Sequence, residues 1–203
     1  MSGIDRRTFA ATLAAGGVLN EALRGDEDVE NPQVVRFEPG EGIPNNGRLP
    51  VLLYRGAIKE RANDPAAFEE LFERNGWPPM WRNGVYSFHH YHATAHEVLG
   101  FAGGRARLLL GGPGGQEFEV QAGDVVLLPA GTGHKKVDAS RDFLVVGAYP
   151  PKQSPDIQRD AATAELLAKI KAVAIPEADP VLGTDAPVYA RHWLGREPKE
   201  RRG

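Results

Sequence analysis

Four residues of the 203-residue chain, His90, His92, Glu97 and His134, have the side chains and the spacing to hold one divalent metal ion. In an extended strand alternate side chains share a face, so His90 and His92 point one way while His89 and Tyr91 point the other. Two imidazoles two residues apart on one strand therefore reach the same ion. Glu97 follows after Ala93-Thr94-Ala95-His96, a connection short enough to turn the chain back and bring the carboxylate beside them. His134 comes from a later strand, behind Pro129-Ala130-Gly131-Thr132-Gly133, a turn that sets where that strand begins. With no cysteine in the chain, disulfides, thiolate nucleophiles and thiolate zinc sites are excluded, and any metal is held by imidazole and carboxylate. Such donors accept Fe(II), Mn(II), Ni(II), Co(II) or Zn(II), and affinity order does not choose among them.

The elements that must position these residues are short strands. From Val85 to Tyr149, β-rich runs alternate with turn residues: 85–92, 97–102, 105–110, 117–120, 125–128, 134–137 and 143–149. Strands at this spacing make a sandwich or barrel, and the 24 glycines and 16 prolines suit tight turns. By parity, Tyr86 and Phe88 share the face of His90 and line the pocket, as do Leu99 and Phe101 beyond Glu97. Lys136 shares the parity of His134 and is placed to meet an anionic group. Parity sets His89 off the metal face, and His96 falls in a turn; both are read as surface or inter-strand hydrogen-bonding groups. No residue is assigned a catalytic role. The Gly111-Gly112-Pro113-Gly114-Gly115 run lacks the lysine and helix of a phosphate loop and reads as a hairpin connection.

Around this stretch, 33–37 reads as a strand, and 49–58 as a strand apolar enough to be covered on both faces, which points to a second subunit and a homodimer. Asp64 to Asn75 reads as an outer helix: Asp64 caps, Pro65 suits the first turn, and Phe68, Leu71 and Phe72 form its stripe. Trp77-Pro78-Pro79-Met80-Trp81 reads as irregular, its indoles closing a hydrophobic seam or forming a pocket rim. A second helix is expected over 161–174, with Leu166, Leu167, Ile170 and Val173 apolar, followed by a proline-rich strap anchored by Val181, Tyr189 and Trp193.

The central residues also carry a pattern. G-x5-H-x-H-x4-E-x6-G is met by Gly84, His90, His92, Glu97 and Gly104; G-x5-P-x-G-x2-H-x3-N is met by Gly123, Pro129, Gly131 and His134, with Asp138 in place of the final Asn. In this the chain resembles the cupins. The wording at 43–46 (Ile-Pro-Asn-Asn), 82–84, 89–100 and 129–134 resembles the YjlB-like group of bacterial cupins more narrowly. The resemblance implies an all-β, double-stranded β-helix (jelly-roll barrel) with peripheral helices and one divalent transition metal on His90, His92, Glu97 and His134. Two of six octahedral positions would stay open, and Asp138 would not be a ligand. It implies a metal-dependent enzyme of oxygenase, isomerase or decarboxylase type acting on a small polar molecule, or alternatively a non-catalytic small-molecule or sugar binder.

The formal charge of −3 is carried by residues 1–33, with three Arg against six Asp or Glu, so there is no basic patch for nucleic acid. Arg6-Arg7, then Phe9 and the mildly apolar run Ala10 to Leu19, resemble a twin-arginine export signal and a periplasmic address. That run is too short to span a bilayer, so no stable membrane anchoring is expected. The division read from the sequence is therefore 1–33 signal and linker, 34–160 barrel with an inserted outer helix near 64–75, and 161–203 helix, strap and a basic solvated tail.

Overall fold

The computed structural model describes residues 29–40 and 42–197, and among them nine strands form two antiparallel sheets around a shared core. The strands are β1 (Gln33–Val35), β2 (Val51–Tyr54), β3 (Pro79–Asn83), β4 (Glu97–Gly103), β5 (Arg105–Leu110), β6 (Gln116–Gln121), β7 (Val125–Leu128), β8 (His134–Ala139) and β9 (Leu144–Ala148). The larger sheet runs β1-β2-β7-β4-β9-β3 and the smaller β6-β5-β8. Together they make a jelly-roll β-barrel, with helices α1 (Pro65–Arg74), α2 (Ala164–Ala172) and α3 (Pro187–His192) at its periphery. The export-signal residues, and the last six of the basic tail, lie outside the described residues. No helix among the described residues is long and apolar enough to cross a membrane.

Period-two burial shows which face each strand turns inward. In β5 and β6, Ala106, Leu108, Leu110, Phe118 and Val120 are buried while Arg105, Arg107, Glu117 and Glu119 are exposed, so the smaller sheet has one wet face. In β2, β4 and β7 every residue is buried because the larger sheet is covered on both sides. Val51, Leu53, Leu99, Phe101, Val126 and Leu128 face the barrel interior. Leu52, Tyr54, Val98, Val125 and Leu127 face an outer core built with α1 and the C-terminal segment. The part of the apolar stretch that is a strand, with the two residues before it (49–54), is thus buried by its own chain and needs no partner subunit to cover it, while 55–58 are half-buried beyond the strand.

The outer layer is held by specific seats. Asp64 caps α1 by accepting from Ala66 N at 3.0 Å, and Phe68 and Phe72 are fully buried. Gly100 makes room for them: a Cβ there would lie 2.9 Å from Phe72 and closer still to Phe68. Residues 176–194 wrap the same face. Trp193 Nε1 donates to Pro50 O at 3.0 Å, and Trp77 Nε1 to Ala178 O at 2.9 Å. Buried Asp179 accepts from Tyr54 Oη and from Val181 N and Leu182 N at 2.7 and 2.8 Å. In α2 only Ile170 is buried; Leu167 is 49% exposed and takes no part in the expected stripe.

Two of the expected strand boundaries fail as well. Residues 79–83 form a regular edge strand, β3, paired with β9. Pro79 is tolerated because an edge strand has one unpaired side, and the register shifts just after it. Conversely, 85–92 is no strand. Its backbone bonds are divided between two neighbours, His90 with His134 and Tyr91 with Gln158, so no continuous ladder forms.

Candidate metal centre

His90 and His134 face each other across an isolated antiparallel bridge, with His134 N donating to His90 O at 2.9 Å. His92 follows two residues on, and Glu97 opens β4. One ligand atom from each of His90, His92 and His134 lies within 4.8 Å of the others, and all three residues are buried. Three buried imidazoles so placed can bind a metal ion. Glu97 Oε2 stands 3.2 Å from His134 Nε2 and 3.4 Å from His92 Nε2. Ligands at right angles on one ion about 2.1 Å away would be separated by about 3.0 Å, so these gaps fit a shared ion. Within the protein, His92 Nε2 and Glu97 Oε2 are both buried without a hydrogen-bond partner. Such orphaned atoms are costly unless something further satisfies them.

The ring orientations are fixed from behind. His90 Nδ1 lies 3.3 Å from Phe88 O, His134 Nδ1 3.0 Å from Thr132 O, and His92 Nδ1 bonds Asp156 O. A carbonyl can only accept, so each Nδ1 carries the proton and each Nε2 keeps its lone pair for the centre. Glu97 is fixed likewise: Tyr149 Oη donates to Oε1 at 2.6 Å, and Trp81 Nε1 donates to that hydroxyl at 3.0 Å. Only Oε2 is left facing the imidazoles.

Electrostatics follow this arrangement. Burial, then the neighbouring imidazoles, lowers the His90 pKa to about 3, so it presents a neutral ring. Burial opposes charge on His92, but the facing Glu97 outweighs it and raises that pKa. Burial likewise opposes charge on Glu97; His92 and His134 prevail and hold its carboxyl well below the usual range. Burial and then Glu97 push the Tyr149 hydroxyl up, keeping it a donor.

Supporting loops explain the local sequence. Buried Asn45 donates to Glu38 O and Gly111 O and accepts from Gly133 N at 3.2 Å, while Asn46 donates to Ala130 O at 2.9 Å. The Ile-Pro-Asn-Asn loop thereby clamps the turn that delivers His134. His96 is buried rather than on the surface, and its Nδ1 accepts from Ala130 N at 2.9 Å, bracing the same turn. The Asp156 carboxylate accepts from Ala93 N, Thr94 N, Thr94 Oγ1 and Gln158 Nε2, which holds its carbonyl against His92. Asp138 is exposed on β8 and ion-paired with Arg107 at 2.5 Å, away from the centre.

A cavity of about 300 Å³ opens onto the four residues and is lined also by Trp81, Val85, Tyr86, Leu99, Tyr149 and Ile157. Of the expected wall residues, Tyr86 and Leu99 are there and three are not. Phe101 lies deeper in the barrel core, two residues past Leu99. Phe88 stands behind Tyr86, stacked on it at 4.8 Å. Lys136 lies half-buried beside Gly84 at the rim. Of the two indoles read as a seam or a pocket rim, Trp77 is buried in the outer core and Trp81 lines the cavity; sequence reasoning missed Tyr149 and Asp156. Tyr149 had a signal in its inward parity with Val145; β4–β9 pairing aligns Val98 with Ala148 and so brings Tyr149 beside Glu97.

The chain is 37% identical over 155 residues to the uncharacterized protein YjlB of Bacillus subtilis (strain 168), covering 75% of this chain and 92% of that protein. It belongs to the YjlB family. No protein-family model matches the sequence. Among solved structures, it is similar to a DUF861 family protein from Thermotoga maritima, with TM-score 0.30 and 21% identity, covering 41% of this chain and 89% of that one. It is also similar to acireductone dioxygenase from Bacillus anthracis with a cadmium ion in its active center, with TM-score 0.36 and 14% identity, covering 52% and 82%. Scores this low carry no conclusion about chemistry. What ties this YjlB-family protein to metal is its own donor set.

Proposed function

We propose that this chain is a metal-dependent cupin enzyme acting on a small molecule, with His90, His92 and His134 Nε2 and Glu97 Oε2 holding one divalent transition ion. The observation that carries the reading is the convergence of the three histidines on one another, each with Nδ1 at a backbone carbonyl, while a Glu97 oxygen without a hydrogen-bond partner stands beside two of them, His92 and His134. When bound, the ion would act as a Lewis acid toward a substrate oxygen. The chain's own residues do the rest. Glu97 serves as a ligand and not as a free base, because Tyr149 occupies Oε1 and the imidazoles face Oε2. Trp81, Val85 and Leu99 wall the approach with apolar surface, which limits the water sharing the site with substrate.

Incubating metal-loaded, oxygenated protein with a panel of small molecules tests the catalytic part. Turnover lost in His92→Ala supports it. A ligand that binds and is recovered unchanged overturns it and leaves a metal-dependent binder.

A further inference from the structure

The wall of the cavity is built mostly of hydrocarbon. Around the ligand group stand Trp81, Val85, Tyr86, Leu99, Pro155 and Ile157. Its polar side chains outside that group are Asn83, Tyr86 and Tyr149, with the Trp81 indole N–H bound to Tyr149. The Tyr149 proton is spent on Glu97, and its oxygen already accepts from Trp81. Asn83 Oδ1 accepts from Gly84 N at 2.9 Å, and its amide protons remain to offer. A sugar entering here would set several hydroxyls against apolar surface with few side-chain partners, at a cost for each one left unpaired. No Lys or Arg lines the cavity. Lys136 is at the rim beside Gly84, and the Arg159 guanidinium lies over the Phe88 ring at 4.2 Å. A second anionic group on a ligand would therefore find no cation in the cavity wall.

The mouth continues the same chemistry. Tyr86 is 48% exposed and Ile157 is 50% exposed, large apolar side chains left in water where the cavity opens. Tyr86 is held in place for contact: its ring stacks on Phe88 at 4.8 Å and meets His90 edge-on at 5.1 Å.

We infer that the substrate is a small molecule with one compact oxygen-donor group on a planar apolar body, the donor at the imidazole–carboxylate group and the body against Tyr86 and Ile157. This rests on the metal-centre reading above and goes beyond it by excluding sugars and dicarboxylates as the natural class. Two probes with the same chelating head separate the claims: benzohydroxamate, which carries a phenyl ring, and acetohydroxamate, which carries a methyl. Cobalt-loaded full-length protein is titrated with each and read by its visible absorption. Benzohydroxamate is expected to bind at least about tenfold more tightly, from the extra apolar area removed from water. In the Tyr86→Ala/Ile157→Ala double variant, whose fold is checked by circular dichroism, that preference is expected to shrink to about threefold or less. Equal affinity for the two probes, or an undiminished preference in the double variant, overturns the inference while leaving the metal centre standing. A cobalt spectrum indifferent to both overturns the metal-centre reading itself, and the inference with it.

Discussion

Replacing Tyr149 by Phe removes one oxygen and tests whether Glu97 is a positioned ligand. That hydroxyl donates to Glu97 Oε1 at 2.6 Å and accepts from Trp81 Nε1 at 3.0 Å, and Glu97 is only 3% exposed. In Tyr149→Phe the carboxylate loses its sole fixed donor on that side and the indole N–H loses its acceptor. A hydrogen bond to a charged, buried group is worth about 1.5–3 kcal/mol. The metal-free protein should therefore unfold more easily in urea by about that amount. Groups that orient metal ligands typically change affinity by about 10–100-fold, and the freed carboxylate also becomes easier to protonate. Competition between the protein and a chromophoric chelator for Co(II) or Zn(II) should show affinity reduced within that range. Trp81→Phe, which removes only the neutral bond one step further out, should lose less. Metal affinity in Tyr149→Phe within about threefold of wild type, well below that range, would refute the positioning role.

Asp179 offers a pH test. Burial raises its pKa from 3.8 to about 6, so the native state holds the proton more tightly than the unfolded chain. Its contribution is fully present below about pH 4 and is lost as pH rises through about 6. Asn cannot ionise, so the stability of Asp179→Asn relative to wild type should climb across that window by up to about 3 kcal/mol, at about 1.36 kcal/mol per pH unit; a flat difference in urea unfolding rejects this. Gly147→Val drives a side chain into the Trp81 ring that packs over that glycine. It should cost about 1–3 kcal/mol and weaken metal binding through displaced Tyr149, whereas unchanged metal affinity would break the link from Trp81 to Glu97. We also propose export by the twin-arginine route, on Arg6-Arg7 and the mildly apolar run behind them; fractionation should find an Arg6→Lys/Arg7→Lys variant retained in the cytoplasm, and unaltered export would dismiss the signal.

The candidate donors were legible because covalent spacing carries them: a step of two from His90 to His92 gives them a common face in extended backbone, and a step of five from there to Glu97 allows one turn. The supporting groups were not, each for its own reason. Asp156 holds His92 through its backbone carbonyl, and a carbonyl has no residue type to read. The place of Trp81 was left open by the prolines before it, which argued against the edge strand that carries it. Parity assigned Phe101 to the correct face but says nothing of depth, so a core residue passed for a wall residue. The apolar run at 49–58 announced burial on two sides without saying that helix α1 and the C-terminal segment supply the outer one.

The central claim is that four side chains hold one ion, and metal analysis of protein purified from its native compartment without a nickel-charged column tests it most directly. Wild-type protein should carry one divalent transition ion per chain, and His92→Ala should lose that ion and melt at a lower temperature. Wild-type protein without a stoichiometric metal, or His92→Ala with unchanged metal content and stability, would contradict it.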